Sequence, residues 1–570
     1  MDEVATHGEA DPIEDRGLIE DWPARPWLLG GLGALAGLLV HLIADKAFAD
    51  DPVSAGLAAA IVFFALSLGF TLRDRRPVEP LVFSGVLGLV MGAITWQAVA
   101  ADGHRAGGGF AFAAGCFFAL LALPLFQAGF HRTRLATDYR ASHFYVWSDA
   151  VSGGGALAFV GLSWLALVLL NGLFGLVGID VIGDLMAERA FGIAWSGGAF
   201  GAGLGVIRNN LKVIGALQKV VMVVFAILAV PFAAALLVFL VILLASGGNA
   251  LWQATDSATP ILLTCAAGAF ILANAIIRDS DEDRSSSRIM QIAAAVLAGV
   301  ILPLSAFAAI SLGIRIDQHG LSPERIWGLI TVVVACAYGL ACWAALIRGR
   351  KAMWSARMRD ANLHLAAGVC VLALVLALPL WDFGAISARS QVARLEAGEV
   401  APADFDFDAL RWDFGDAGRA TLARLAKGEG EIGKLAAEAE TLNTRPYDRA
   451  VTPVETRRAN LRGVPKDEAA SDAFAALLRR EGWRCAGACR VIELEALADG
   501  RRHFLLVDGR DVGHLAMSEG GELEYYASSL TDWVQSGTDL PDVGDGVIEV
   551  RDETVRRVYI DGKPVGEPFK

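Results

Sequence analysis

Long apolar segments alternate with short polar connections along the first two thirds of the chain, and no apolar segment of comparable length follows residue 386. A helix needs about 20 residues to cross the hydrocarbon core of a bilayer. Eleven segments meet that requirement, so the pattern predicts eleven membrane-spanning helices. The predicted spans are 27–44, 53–72, 81–100, 109–130, 150–178, 190–207, 220–245, 260–277, 289–313, 326–347 and 363–380.

Charged residues of this region lie between the predicted spans and not in their interior. Ion-coupled carriers and proton relays usually place a charged or titratable side chain at mid-membrane. The pattern therefore argues against that class of transporter. The least certain span is 150–178, which contains Asn171-Gly172 and is also compatible with a span followed by a re-entrant segment.

Lys and Arg residues are unevenly distributed over the connections. The loops after spans two, four, six, eight and ten contain 17 of them, whereas the alternate loops contain 5. Cytoplasmic loops of membrane proteins are enriched in Lys and Arg. We therefore predict a cytoplasmic N-terminus and, because the number of spans is odd, a C-terminal domain on the opposite side of the membrane.

The pattern divides the chain into four regions. An acidic cytoplasmic tail, 1–26, precedes a transmembrane helical domain, 27–386. The soluble remainder has a helical part, 387–490, and a β-rich part, 491–570, in which apolar and polar residues alternate. The predicted fold class is a polytopic α-helical membrane protein with about eleven spans and a small soluble α+β C-terminal domain.

Within the soluble part, Ser471-Asp472 is typical of a helix start. Segments of alternating residues predict strands that begin near Val491, His503, Glu522 and Gly546. A terminal hairpin is predicted over 555–566, with its turn at Asp561-Gly562.

Composition agrees with a membrane protein, since 55% of the 570 residues are hydrophobic and only 19% are charged. Residues 387–570 contain 25 basic and 34 acidic residues. A nucleic-acid surface needs clustered positive charge, so no nucleic-acid partner is expected. The expected partners are membrane lipids for the spans and an envelope protein for the C-terminal domain.

Two groups of residues inside the spans have predicted packing roles. Small residues at four-residue spacing let helices approach closely, and Gly197, Gly201 and Gly205 follow that spacing. Uncharged polar residues in spans most often form interhelical hydrogen bonds. The candidates for such bonds are His41, Gln97, Asn171 and Asn274.

The segment 131–149 mixes basic and aromatic residues at the predicted inner face. We predict a linker that lies in the lipid headgroups. Its candidate lipid or interface contacts are Arg132, Arg134, Arg140, Tyr145 and Trp147. His131 and His143 have no third ligand at a useful spacing, so no metal site is predicted. The segment 208–219 is predicted to be a similar interfacial linker.

Five of the seven cysteines lie in spans, where thiols pack as small apolar groups. Only Cys485 and Cys489 lie in the soluble part. If that part is outside the cytoplasm, a disulfide between them is permitted. Two free thiols, or a metal or redox site, are the alternatives, although the spacing is not Cys-x-x-Cys.

No motif for a nucleophile, a general base or a cofactor is present in the sequence, so no catalytic residue and no cofactor is predicted. Two function classes remain besides the less favoured membrane enzyme. One is an envelope sensor or scaffold whose C-terminal domain binds a partner. The other is a transporter or lipid-handling carrier for a neutral or amphiphilic substrate.

Three stretches together resemble a bacterial membrane family catalogued as domain of unknown function 4153. They are His143-Phe-Tyr-Val-Trp-Ser-Asp149, Arg208-Asn-Asn210 and the junction 386–395. The resemblance implies an inner-membrane location, and with the charge pattern a periplasmic C-terminal domain. It implies no established activity and therefore no catalytic residue.

Overall fold

The structure is a computed structural model. It describes residues 22–44, 51–247, 251, 258–281, 284–285, 287–442, 454–465, 467–480, 484–485, 489–494, 500–508, 511–518, 521, 523–525, 556–560 and 563–569. The chain forms two compact units, Met1–Glu440 and Thr441–Lys570. The division lies inside the range 387–490. Most of the predicted acidic tail, 1–21, lies outside the described residues.

The first unit is built from helices, most of them long and apolar. They are α1 (Arg25–Ala44), α2 (Pro52–Thr71), α3 (Val78–Ala100), α4 (Gly108–Gln127), α5 (Phe130–Thr133), α6 (Tyr139–Gly175), α7 (Val181–Ala187), α8 (Arg189–Arg208), α9 (Leu211–Ala245), α10 (Thr259–Ile277), α11 (Arg288–His319), α12 (Pro323–Ala377), α13 (Phe383–Glu396), α14 (Phe407–Trp412), α15 (Gly415–Leu425) and α16 (Gly430–Thr441).

Eleven helical segments in the described part of the chain are long and apolar enough to cross a membrane, which confirms the predicted number and the fold class. The last two, Pro323–Gly349 and Met353–Ala377, both belong to α12. The chain reverses between them. The close approach of Gly349 to Trp354 shows this reversal, since a Cβ on Gly349 would collide with the Trp354 backbone. A straight helix does not bring residues five apart into such contact.

Glycines line the contact between α1 and α8. A Cβ on Gly201 would overlap the carbonyl of Leu29, and one on Gly197 would overlap the carbonyl of Gly33. Gly205 meets the backbone of Pro26, so the two helices run antiparallel. Dispersion contacts of this kind hold helices together in lipid, where the hydrophobic effect between helices is absent.

The first unit contains several apolar cores, of which two matter for the description that follows. The larger one is shared by α9, α10, α11 and α12 and consists mainly of Ala, Leu and Ile side chains. The smaller one is formed by α13–α16, with Leu410 and Ala436 fully buried at its centre. The segment after the last span therefore folds as a helical layer of its own within the first unit.

Two predicted linkers are helical instead. Residues 139–149 form the first three turns of α6, and residues 211–219 form the start of α9. The 37 residues of α6 span about 55 Å, which exceeds the thickness of a bilayer core. Asn171-Gly172 does not interrupt the helix, so the suggested re-entrant break is absent from α6.

The second unit combines helices α17 (Val454–Asn460) and α18 (Glu468–Arg480) with strands. A five-stranded sheet has the order β1-β2-β3-β4-β5, in which β1 and β2 are parallel and the other neighbours antiparallel. Strands β6 and β7 pair separately. The strands are β1 (Leu461–Arg462), β2 (Cys489–Glu493), β3 (His503–Asp508), β4 (Asp511–Met517), β5 (Leu523–Tyr525), β6 (Arg556–Ile560) and β7 (Lys563–Phe569).

Phe474 of α18 packs edge-on against Phe504 of β3, with ring centroids 5.4 Å apart, and both are buried. The predicted strands near Val491, His503 and Glu522 and the terminal hairpin are present. The strand predicted to begin near Gly546 lies outside the described residues.

Helix α18 begins at Glu468, three residues before the predicted start at Ser471. Asp467 caps it by accepting a hydrogen bond from the Ala470 amide. The Asp467 carboxylate also accepts two hydrogen bonds from Arg502, at 3.0 and 2.9 Å. A bidentate arginine with a carboxylate is the stronger form of this interaction, and it ties the start of α18 to β3.

This ion pair predicts a specific loss of stability in acid. The Arg502 guanidinium lowers the pKa of Asp467 from 3.8 to about 2. A carboxyl whose pKa is lower in the folded state stabilises the fold above its unfolded pKa. That stabilisation should disappear as the pH falls from about 4 to about 2. Pulse proteolysis of the full-length protein with pepsin over this range measures it as faster cleavage within 461–525.

Asp467→Asn should remove the part of this pH dependence that comes from the Asp467 carboxylate, because an asparagine side chain does not titrate; Glu493, which also accepts from Arg502 at 2.8 Å, keeps its own contribution. The matched control is Glu524→Gln on β5, whose side chain is exposed and which should keep the wild-type profile. An unchanged slope in Asp467→Asn would show that other carboxyls control the acid stability of this unit.

Candidate functional site at the basic face

One end of the spans carries the Arg-rich connections, and we call it the basic face. It is formed by the start of α1, the ends of α2, α4, α8 and α10, the start of α6 and the reversal in α12. Side-chain hydrogen bonds join these helix ends to one another. Among the described residues, this face has two groups of buried and half-buried polar residues, each at a junction of several helices.

The first group, the Asp149 cluster, consists of Arg25, Gln127, Asp149 and Arg208. Arg208 donates to the carbonyl oxygens of Gly69 and Leu72. These carbonyls belong to the last turn of α2, where helices leave acceptors unpaired. The guanidinium thus closes the end of a helix that lies far away in the sequence.

Arg25 joins the same cluster by donating to the Arg208 carbonyl at 3.1 Å and to Asn209 Oδ1 at 2.9 Å. On the other side, Gln127 Nε2 donates to the Phe70 carbonyl at 2.8 Å and to Asp149 Oδ1 at 3.3 Å. Asp149 and Arg208 are the opposite charges of the cluster and interact electrostatically.

The helices extend beyond the predicted spans, so three charged residues predicted to lie in the connections belong to helix ends instead. Asp149, Arg208 and Arg359 all lie in helical segments that are long and apolar enough to span a membrane. Each is placed within three turns of the basic face and each has a charged neighbour. Pairing of this kind is what makes a charge tolerable at the edge of the hydrocarbon core.

The second group, the His143 cluster, consists of Tyr139, His143, Asn274, Arg278, Arg359 and Asn362. Asn274 Oδ1 accepts from Asn362 Nδ2 at 2.7 Å and from the Tyr139 hydroxyl at 3.4 Å. Asn274 Nδ2 donates to the Phe270 carbonyl at 2.8 Å. This buried amide joins α6, α10 and α12 in one hydrogen-bonded group.

Arg359 is 7% exposed and anchors the loop that follows α10. It donates to the Ile277 carbonyl at 3.3 Å and to Asp281 Oδ1 at 2.7 Å. Ser355 donates to the same Asp281 oxygen at 2.9 Å. The hydrogen bond from Arg359 is the main cause that lowers the pKa of Asp281, so this carboxylate stays charged at neutral pH.

His143 differs from its neighbours because its polar atoms are unsatisfied. The side chain is 7% exposed, and neither Nδ1 nor Nε2 has a hydrogen-bond partner among the described residues. Its ring lies between those of Tyr139 and Trp147, at centroid distances of 5.7 and 6.3 Å. These three residues follow each other at four-residue spacing along one face of α6.

At the opposite end of the spans, helices α13 and α15 are held on two loops; we call this end the docking face. Gln391 Nε2 donates to the carbonyls of His319 and Leu321, at 2.7 and 2.9 Å. Arg394 donates to the carbonyls of Asp317 and Gln318, each at 2.9 Å. These four acceptors are the end of α11 and the connection to α12.

The other loop of the docking face connects α3 to α4. His104 Nδ1 lies 3.0 Å from Asp416 Oδ2, and the Asp416 amide donates to the His104 carbonyl at 2.8 Å. Gly415, at φ +63°, allows this approach, since a Cβ there would meet the His104 carbonyl. The segment after the last span is thus hydrogen-bonded to the loop between α3 and α4 and to the connection between α11 and α12.

The polar residues predicted for interhelical bonds have different environments. Asn274 makes such bonds within the His143 cluster. The Asn171 amide lies against α7, where a Cβ on Gly183 would be 3.0 Å from its Oδ1. His41 and Gln97 are half-buried on α1 and α3.

Three of the five predicted lipid contacts have partners within the protein, and the other two are described by their exposure. Arg132 forms an ion pair with Glu79 at the start of α3, and Tyr145 accepts a hydrogen bond from Arg73 at 3.1 Å. Trp147 packs edge-on against Phe225 of α9. Arg134 is exposed and Arg140 is half-buried. Contact with lipid stays a prediction for all five residues.

Within the described residues, no group of three His, Cys, Asp or Glu side chains is placed to hold a metal ion. His131 stacks on Phe126 and lies 3.9 Å from Glu79, away from any third ligand of this kind. In the second unit, the sulfur atoms of Cys485 and Cys489 are bonded at 2.08 Å. Their oxidation in the cell stays a prediction.

A family model described as Domain of unknown function (DUF4153) matches residues 60–425. The chain belongs to this family. The DUF4153 region begins within α2 and ends with the last residue of α15, so it contains the docking helices α13 and α15 and all of the His143 cluster. No curated protein and no solved structure matches the chain.

Proposed function

We propose that this DUF4153 protein is a bacterial inner-membrane sensor or scaffold, with a cytoplasmic N-terminus and a periplasmic C-terminal domain. The observation that carries the proposal is the attachment at the docking face. Because α13 and α15 are bonded to two separate loops, a force on the C-terminal domain would reach α3, α4, α11 and α12 together. A sensor needs such a physical connection between the part that binds and the part that responds.

Two observations support the orientation. The Arg-rich connections meet at the basic face, and such loops are normally cytoplasmic. The bonded pair Cys485–Cys489 would require an oxidising compartment, such as the periplasm. A C-terminal fusion to alkaline phosphatase should be active, whereas a C-terminal fusion to a fluorescent protein should be dark. The reverse pattern would contradict the orientation.

The sensor proposal predicts a loss of function when the docking face is disconnected. Arg394→Ala removes two hydrogen bonds to the loop after α11, and deletion of 441–570 removes the second unit. Both should fail to complement the envelope phenotype of a deletion strain while the protein is still found in the membrane. Arg389→Ala is the matched control on the same helix, because among the described residues Arg389 donates to the Ala385 carbonyl within α13 and to no loop.

A lipid-handling carrier is the second candidate, and the His143 cluster favours it. The cluster has unsatisfied polar groups near the ends of the spans and between helices, and carriers bind their substrates between helices. If the protein is a carrier, deletion of 441–570 should leave function intact. Alanine at Asn171 and Gln97, inside the spans, should then abolish it with the fold preserved. The sensor proposal expects the opposite result for both changes.

A further inference from the structure

The polar atoms of the His143 cluster are not all paired within the protein. The two amides and Tyr139 satisfy one another, whereas both ring nitrogens of His143 and the Nε of Arg278 are buried without a hydrogen-bond partner among the described residues. Each unsatisfied buried group costs about 1–3 kcal/mol. The Arg278 Nε–H and the single N–H of a neutral His143 ring are donors, so an acceptor in the His143 cluster would satisfy both.

Arg278 is also held in an uncommon backbone conformation. Its φ is +53°, in the left-handed region that non-glycine residues seldom adopt. Its amide closes α10 by donating to the Asn274 carbonyl at 2.9 Å. Arg278 is therefore the residue at which α10 ends, one turn after Asn274. Residues kept in such regions concentrate at binding sites.

The cluster lies at a boundary between two groups of helices. Tyr139 and His143 come from α6, whereas Asn274, Arg278, Arg359 and Asn362 come from the end of α10 and from α12. The large apolar core is formed by α9–α12 without residues of α6. We call this boundary the α6 seam. Ligand sites of helical membrane proteins are commonly formed between helices in this way.

The charges at the α6 seam select the ligand. Arg278 and Arg359 are the charged side chains that act on His143. Arg359 is already paired with Asp281, whereas the Arg278 Nε still has a hydrogen to donate. Guanidinium and imidazole N–H groups bind phosphate oxygens well. Basic pockets between spans at the cytoplasmic side bind the headgroups of anionic lipids.

We propose that His143, Arg278 and Arg359 form a binding site for a phosphate group at the α6 seam, supplied by the headgroup of an anionic phospholipid. Arg278 and one N–H of His143 donate to the phosphate oxygens. Arg359, held by Asp281 and the Ile277 carbonyl, adds positive charge. The site does not depend on the sensor proposal, since a sensor and a carrier can both hold such a lipid.

The test is native mass spectrometry of the full-length protein in detergent, titrated with phosphatidylglycerol. One lipid should be retained per protein. Arg278→Gln and His143→Phe should each weaken its apparent Kd by at least tenfold, the change expected when one charge-assisted hydrogen bond is lost. Arg278→Lys keeps the charge and should retain more binding than Arg278→Gln. Arg348→Gln, an exposed arginine on the same face, should bind like the wild type.

A second titration with inorganic phosphate separates the two sources of the group. Displacement of the lipid only by high phosphate concentrations assigns the site to a headgroup, whereas tight phosphate binding without lipid assigns it to a soluble phosphate. The proposal is overturned if neither ligand binds. It is also overturned if Arg278→Gln and Arg348→Gln weaken binding equally, since general attraction to the basic face would then explain it.

Discussion

Gly33→Ala should destabilise the protein, while Gly31→Ala, two residues away on the same helix, should not. A methyl group on Gly33 would overlap the carbonyl of Gly197 on α8, whereas nothing lies within 4 Å of the corresponding position on Gly31. Overpacking of a close contact costs about 1–3 kcal/mol. Replacing glycine by alanine in a helix otherwise gains up to about 1 kcal/mol. The two variants should therefore shift stability in opposite directions.

Thermal unfolding in detergent, followed by the fraction of protein that remains monodisperse, measures this difference. Gly33→Leu should have a larger effect and prevent recovery of folded protein. The four heavy atoms of a leucine side chain cannot be placed between two backbones that are in contact. Gly201→Ala tests the same interface from α8, where a Cβ would meet the Leu29 carbonyl. Equal melting temperatures for Gly31→Ala and Gly33→Ala would show that α1 and α8 are farther apart than the structure places them.

Arg208→Met should have the second large effect. The change leaves the Asp149 carboxylate without its opposite charge and leaves the carbonyls of Gly69 and Leu72 without their donor. Each helix-end carbonyl left without its donor costs about 1–3 kcal/mol where it is buried, and the electrostatic interaction with Asp149 is lost as well. We expect a marked loss of folded protein in the membrane. In hydrogen–deuterium exchange of the remaining protein, the backbone amides at the end of α2 should lose their protection first.

The double variant Arg208→Met with Asp149→Asn should recover part of that loss, since the uncompensated charge is removed together with its partner. Recovery would demonstrate coupling between α6 and α8. Arg75→Met is the matched control, because Arg75 is exposed in the loop after α2 and should be neutral. If the double variant is no more stable than Arg208→Met, the role of Arg208 is limited to the α2 carbonyls.

The spans could be predicted because each is specified by its own composition. About 20 apolar residues suffice for a helix in lipid, whatever packs beside it. The glycines of α8 were found for a similar reason, since the four-residue spacing of Gly197, Gly201 and Gly205 is a local signal. Their partners on α1 were not identifiable, because nothing in the sequence relates residue 33 to residue 197.

By composition, the segments that contain Tyr139, His143, Asp149 and Arg208 are predicted linkers, since basic and aromatic residues are typical of the interface. A local signal was present: Tyr139, His143 and Trp147 recur every four residues, which places them on one face of a helix. That spacing would have extended α6 toward residue 139. It could not have identified Asn274 and Arg359 as neighbours, which are more than 130 residues away.

The sequence by itself determined the number of spans and the alternation of basic connections, because hydrophobicity and charge act within each segment. Only the tertiary structure decided which polar residues become buried or half-buried, since Asp149 and Arg208 find their hydrogen-bond partners on other helices. It also decided that helices α13 and α15, after the last span, pack on the α3–α4 loop and on the connection between α11 and α12. Both outcomes depend on contacts between residues distant in the chain, and local composition does not contain that information.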